Sequence, residues 1–254
     1  MPNAEFNWCE PDYQLVDWVA EPVNTASNAP FVLLPLLFLA THSASRDLVI
    51  VATLQVLIGV GSMLFHATLR YSMQLLDELP ILWFALMCMV CYLRRLKGVD
   101  VSVPAAVVGA SMALGIFATA QHSPAHEVWR GLMSGAFSVC LVAMGWGSTA
   151  LLGRLQQEVT GKRRHVPVRA ERMHTAGFVS FVLSVACWLC DNYFCPALRE
   201  LPLGLPYPHL HTWWHLLTAV TLYTLLVLFQ LYDRRASPTL NLRLRLGLLP
   251  FVDG

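Results

Sequence analysis

Leu48-Val-Ile-Val-Ala-Thr-Leu-Gln-Val-Leu-Ile-Gly-Val-Gly-Ser-Met-Leu-Phe-His-Ala-Thr-Leu69 runs for 22 residues without an Asp, Glu, Lys or Arg. A helix of that length crosses the roughly 30 Å hydrocarbon core of a bilayer. Six further apolar stretches have similar length: Val23–Thr41, Gln74–Leu93, Val101–Ala120, Val128–Leu152, His174–Phe194 and Leu210–Leu231. The first contains Pro30 and Pro35, which membrane helices tolerate when neighbouring groups satisfy the freed carbonyls. The whole chain agrees: 56% of its 254 residues are hydrophobic and 13% are charged, about half the charged fraction of a soluble domain. Mean hydropathy is +0.53. The expected fold is an all-α seven-transmembrane-helix bundle forming one domain over residues 1–254, with a leader over 1–22 and a short tail over 236–254.

Loop charges orient the bundle. Arg94, Arg95 and Lys97 follow the third span, Arg154, Lys162, Arg163, Arg164, Arg169 and Arg172 the fifth, and Arg234 and Arg235 the seventh. The loops after the second, fourth and sixth spans carry Arg70, Arg130 and Arg199 alone. The positive-inside rule therefore puts the loops after odd-numbered spans and the carboxyl terminus in the cytosol, and the amino terminus in the lumen or outside. The start of the chain lacks the basic and apolar regions of a cleavable signal peptide, so the first span is expected to act as its own insertion signal. A net charge of +1 with no extended basic patch argues against a nucleic-acid partner.

On that topology His66 ends the second span, Asp77 opens the third, and His211 and His215 open the seventh, all near the same lumenal depth. Histidines four apart share a helix face and can reach one ion. Alone, His211-Thr-Trp-Trp-His215 equally suits an interfacial pair beside Trp213 and Trp214. The common depth with His66 favours a three-histidine metal centre with one position open for water, the arrangement of hydrolytic zinc. His42, His122, His126, His165, His174 and His209 fall in or beside loops and read as solvated surface.

Ser62 precedes His66 by one turn. It suits an oxyanion donor or a small-residue packing face with Gly59 and Gly61. Asp77 and Glu78 lie in an apolar stretch, where a carboxylate must face a cavity, a metal or a partner. Either can shuttle a proton or orient an imidazole; spacing does not separate them. In the leader, Asn7, Glu10, Asp12 and Glu21 gather oxygen donors that suit Ca²⁺ or a solvated acidic segment. Cys88/Cys91 and Cys187/Cys190 lie inside spans and read as packing residues. Cys9 and Cys195 both fall on the lumenal side, where disulfides persist, and are expected to be bridged.

Asn-Trp-Cys-Glu10, Ala-Glu-Pro-Val-Asn-Thr-Ala-Ser-Asn28, Gly-Ser-Met-Leu-Phe-His-Ala-Thr-Leu69, Gln-Leu-Leu-Asp-Glu-Leu-Pro80 and His-Thr-Trp-Trp-His215 occur in this order and together resemble the alkaline ceramidase family. Cys190-Asp-Asn192 and Phe194-Cys195 also fit its sixth helix. The resemblance implies a zinc-dependent intramembrane amidase that hydrolyses ceramide to sphingosine and a fatty acid in an endoplasmic reticulum or Golgi membrane. It implies His66, His211 and His215 as zinc ligands, with Ser62 and Asp77 flanking the activated water. It also implies a calcium site of Asn7, Trp8 through its carbonyl, Glu10, Asp12 and Glu21, and a Cys9–Cys195 disulfide. The family more usually has Asp at Asn7 and Asn at Asp12, a swap that moves one charge within the calcium set. Alternatives are a related zinc lipid hydrolase with another substrate, a seven-helix receptor of the adiponectin-receptor type, and a transporter or scaffold that binds no metal.

Overall fold

The computed structural model describes residues 2–99, 124–161, 165–245 and 249–253. The described chain is mostly helical: α1 (Pro22–Ser27), α2 (Ala29–Thr41), α3 (Arg46–Thr68), α4 (Tyr71–Lys97), α5 (Pro124–Glu158), α6 (His165–Tyr193), α7 (Cys195–Arg199) and α8 (Leu210–Asp233). A hairpin of β1 (Asn241–Arg245) and β2 (Leu249–Asp253) follows. Among the described residues six helical stretches are long and apolar enough to cross a membrane, α1 and α2 forming one of them. This is a multi-pass membrane protein. The sequence-predicted span Val101–Ala120 lies outside the described residues.

Glycines on α3 make it the hub. A Cβ on Gly61 would lie 2.2 Å from the Leu76 carbonyl oxygen of α4, and one on Gly59 would lie 2.7 Å from Phe31 Cβ of α2. Backbones approach this closely only where the side chain is missing. The same device joins α6 to α8, where Gly177 faces Thr224. There the Ser180 hydroxyl donates to Leu217 O at 3.0 Å and the Thr221 hydroxyl to Gly177 O at 3.1 Å. Leu33, Leu57, Val60, Phe178 and Val182 point outward, as lipid-facing residues must.

The leader is folded onto the bundle rather than solvated. Leu69 ends α3 in the left-handed region at φ 48°, and its carbonyl accepts from Asn3 N and Ala4 N, each at 2.9 Å. The Asn3 side chain accepts from Tyr71 N at 2.9 Å, at the start of α4. The Glu10 carboxylate accepts from Val23 N at 2.8 Å and Asn24 N at 2.7 Å. It thus satisfies two of the donors that every helix start leaves open. Cys9 is bonded to Cys195, with Cα atoms 5.3 Å apart. This agrees with the bridge expected from the sequence.

The opposite end is closed by ions and by the hairpin. Arg94 and Arg95 pair with Asp47, Arg95 with Asp233 at 2.6 Å, and Arg235 with Glu158. The hairpin pairs Leu242 with Val252 and buries both in the main core, so residues expected to form a short tail are part of the packed bundle. Two histidines correct the surface reading. His42 is buried, its ring between Phe38 and Phe251, and its Nε2 accepts from Val252 N at 3.2 Å. His174 is half-buried and hydrogen-bonded to Ser148 of α5.

The glycine contacts carry a prediction. Gly61→Val must push α3 off α4, because its clash is with backbone, and should cost about 1–3 kcal/mol of stability. Gly153 of α5 has open space around it, so Gly153→Ala should gain up to about 1 kcal/mol. Thermal unfolding of both variants in detergent reads the contrast.

Candidate metal centre

Three imidazoles meet where α3 and α8 face each other. His66 lies in the last turn of α3, and His211 and His215 lie in the first two turns of α8. One candidate ligand atom from each lies within 4.8 Å of the others, and all three residues are buried. The ring centroids are 5.0 Å apart for His66 and His211, 4.9 Å for His66 and His215, and 4.5 Å for His211 and His215.

Each histidine is held from behind. The Glu21 carboxylate contacts His66 Nδ1, and the Glu21 N–H donates to His66 O at 3.0 Å. A carboxylate on Nδ1 fixes the tautomer and directs the Nε2 lone pair at the centre. Ser27 Oγ lies 2.7 Å from His215 Nδ1 and donates its own proton to Asn24 O at 2.8 Å. By this network Ser27 accepts from Nδ1–H, which leaves His215 Nε2 as the bare nitrogen. The Trp8 ring stacks on the His211 ring at 3.8 Å between centroids.

Asp191, near the end of α6, anchors the start of α8. It is fully buried. Its Oδ1 accepts from His211 N at 3.2 Å and from the Tyr207 hydroxyl, and its Oδ2 accepts from Cys9 N at 3.2 Å. Burial and the bond to Asp191 push the Tyr207 phenol well up, so it stays a donor. The sequence reading noted Asp191 only as part of a resembling block. The signal was present nonetheless: a carboxylate at the end of an apolar run needs a partner, the argument applied there to Asp77.

The residues expected to flank a reacting water are adjacent. Ser62, one turn before His66, hydrogen-bonds the Asp77 carboxyl. Gly61 makes this possible by letting α4 touch α3 at Leu76 and Asp77. Glu78 turns to Gln74 instead, accepting from its Nε2 at 2.9 Å, while Gln74 Oε1 accepts from Glu5 N at 2.8 Å. Geometry thus sets Asp77 beside Ser62 and Glu78 toward the leader.

The leader's oxygen donors also converge. Asn7 Nδ2 donates to Asp12 Oδ2 at 3.0 Å, and Trp8 N donates to Glu21 Oε1 at 3.1 Å. Burial pushes the Glu21 carboxyl up to about 8, with Asp12 and Asp191 adding to the rise. Burial raises Glu10 too, and Glu21 contributes. Among the described residues no Lys or Arg pairs with Glu10, Glu21 or Asp191. Arg199, the nearby cation, donates to the carbonyls of Cys9 and Glu10.

His66 Nε2 and His211 Nδ1 are buried without a hydrogen-bond partner among the described residues, as is Asp12 Oδ1. Orphaned acceptors of this kind are rare in native interiors. Three neutral imidazoles suit a borderline transition metal, and the carboxylate and amide oxygens of the leader suit a hard cation. Both sets fit.

Beside the histidines lies an apolar cavity, walled among others by Phe31, Ile58, Ile81, Phe84, Phe181 and Trp214. Phe31 of its wall meets the His215 ring edge-on at 6.5 Å, so the cavity lies next to the metal centre.

A family model described as Ceramidase matches residues 1–240. The chain is 30% identical to the alkaline ceramidase of Drosophila melanogaster over 89% of this chain and 76% of that protein. It is 29% identical to alkaline ceramidase 3 of Mus musculus over 96% and 87% of the two chains, and 25% identical to the alkaline ceramidase of Arabidopsis thaliana over 96% and 90%. With this match across nearly all of its length, the chain belongs to the ceramidase family.

Proposed function

We propose that the protein is a zinc-dependent amidase that hydrolyses ceramide to sphingosine and a fatty acid within the membrane. The observation that carries this reading is the convergence of three histidine donors beside an apolar cavity, with Ser62 one turn from His66 and hydrogen-bonded to Asp77. The family membership supports ceramide as the lipid.

His66, His211 and His215 would hold zinc, which supplies Lewis acidity to water and to the amide carbonyl. Asp77 takes a proton from the attacking water as its oxygen bonds to the carbonyl carbon. It later delivers that proton to the amine as the C–N bond breaks. Ser62 donates to the Asp77 carboxylate and, once Asp77 has taken the water proton, is free to turn its one hydroxyl proton to the developing oxyanion. The cavity keeps the lipid chains in apolar surroundings. Asn7, Trp8 through its carbonyl, Glu10, Asp12 and Glu21 would hold calcium, whose charge offsets the mutual repulsion of the leader carboxylates. The reading places seven spans in an endoplasmic reticulum or Golgi membrane, with the amino terminus lumenal and the carboxyl terminus cytosolic.

Three outcomes test it. Detergent-purified protein should release fatty acid from ceramide, lose that activity to a strong chelator, and regain it with zinc; activity indifferent to chelation overturns the metal. Asp77→Asn should lower kcat by about 10²–10⁴-fold while elemental analysis still finds the zinc, whereas His215→Ala should lose the metal itself. Glu21→Gln should weaken zinc binding by about 10–100-fold, read by chelator competition in calcium-free buffer.

A further inference from the structure

The cavity has a polar floor. α5 and α8 descend from the histidine end and α6 rises towards it; Gln156 of α5 hydrogen-bonds Glu171 of α6, and Arg235, just past α8, pairs with Glu158 of α5. On each helix the lining residue farthest from the histidines is therefore defined: Ser148 on α5, His174 on α6 and Leu228 on α8. Thr224 faces Gly177, which sets His174 level with Leu228 one turn further down. Below this ring, Leu151, Ala170 and Leu231 are fully buried, so the cavity ends there. From His215 to Leu228 the α8 axis spans about 20 Å at 1.5 Å per residue.

The wall above is mostly apolar. Its Thr221 and Thr224 hydroxyls donate to helix carbonyls, and Thr218 is the one threonine there without a partner among the described residues. Two members of the floor are polar. His174 Nε2 lies 3.0 Å from Ser148 Oγ, and Ser148 donates to Gly145 O at 2.9 Å. Ser148 also bonds Tyr92 of α4, and its bond to His174 uses Nε2 alone and leaves over the other ring nitrogen, Nδ1. It makes no hydrogen bond among the described residues. An alkyl chain that reached past this ring would strip water from an imidazole nitrogen and offer nothing in return. The pair does more than join α5 to α6, because both residues line the cavity at its end away from the histidines.

We propose that His174 and Ser148 form an end stop for one hydrocarbon chain of the substrate, making this a length-selective enzyme whose preferred chain ends at that ring. This rests on the reading of the site as a ceramide amidase. A methylene added to or removed from a filled apolar pocket changes discrimination by about 10–200-fold, so the stop should appear as a break in a length series rather than a gradual slope.

The test uses full-length protein in mixed micelles with two ceramide series, one stepped in acyl length and one in sphingoid-base length. In one series wild-type kcat/KM should fall by about tenfold or more within two methylenes of the break. His174→Ala should move the break to longer chains and raise the long-to-short ratio of kcat/KM by about fivefold or more. His174→Gln, which keeps a partner for Ser148, should return the wild-type profile, and Ser148→Ala should give a partial shift should His174→Ala fail to fold. The ratio is the readout, so a uniform loss of activity does not imitate the effect. A His174→Ala break at the wild-type length overturns the end stop. Displacement of a fluorescent fatty acid by unlabelled acids of stepped length supplies an arm independent of turnover, with the same shift expected. Should wild type hydrolyse no ceramide of any length, the amidase reading falls, and the displacement series alone decides the stop.

Discussion

The contact on which the rest of the structure depends is between two groups that membranes do not welcome: the buried Glu21 carboxylate and the buried His66 imidazole. Glu21 holds His66 at both ends, through the ring nitrogen and through the carbonyl. That double hold fixes where the end of α3 stands relative to the start of α1. It also explains why the leader cannot be a loose appendage. A buried carboxylate whose partner is removed is costly, so the leader, α1 and α3 form or fail together. The remaining leader contacts follow the same rule. Asn3 joins the end of α3 to the start of α4, Glu10 caps α1, and Cys9 is tied covalently to α7.

The two ends of the bundle solve the problem of buried charge differently. Far from the histidines, carboxylates on α3, α5 and α8 meet arginines directly, as Asp47, Asp233 and Glu158 do. At the histidine end, Glu10, Glu21 and Asp191 are satisfied by N–H and O–H donors, and the neighbouring Arg199 faces carbonyls. Neutral donors lower the cost of a buried anion without cancelling its charge. The first arrangement is finished as a structure. The second leaves carboxyl oxygens and bare nitrogens gathered in one place, a donor set that a cation would complete.

Much of this was legible in the sequence because it rests on long-range periodicity. Uncharged runs of bilayer length gave the spans, and four-residue spacing put His211 and His215 on one face. Loop charges supplied the depth argument that brought His66 to them. What escaped depended on contacts between distant segments. Spacing did not choose between Asp77 and Glu78, because the choice is made by Gly61 on α3 and Gln74 on α4. Asp191 looked like one polar residue at a helix end until its acceptors were seen to hold Cys9, Tyr207 and His211. His42 and His174 read as surface by their nearness to loops, yet the hairpin covers one and α5 the other. The hairpin itself had a visible cue, the alternation of Asn241-Leu-Arg-Leu-Arg245, which matches a half-buried strand. It was masked by the expectation that a chain ends when its last span does.

The placement of small residues connects this architecture to chemistry. A hydrolytic centre needs its groups held to within about 0.5 Å, and helices deliver that only if their separation is itself fixed. Glycine does this on both sides of the site: Gly61 sets α3 against α4 beside Asp77, and Gly177 sets α6 against α8 along the cavity wall. The first contact places Ser62, one turn from His66, against the Asp77 carboxyl. The second holds the cavity wall that descends from Trp214 to His174. The Gly61 contact is with backbone and cannot relax, whereas Gly177 meets the Thr224 side chain. The histidines are therefore positioned by packing throughout the bundle, and a cation arriving between them meets a site already shaped by the rest of the fold.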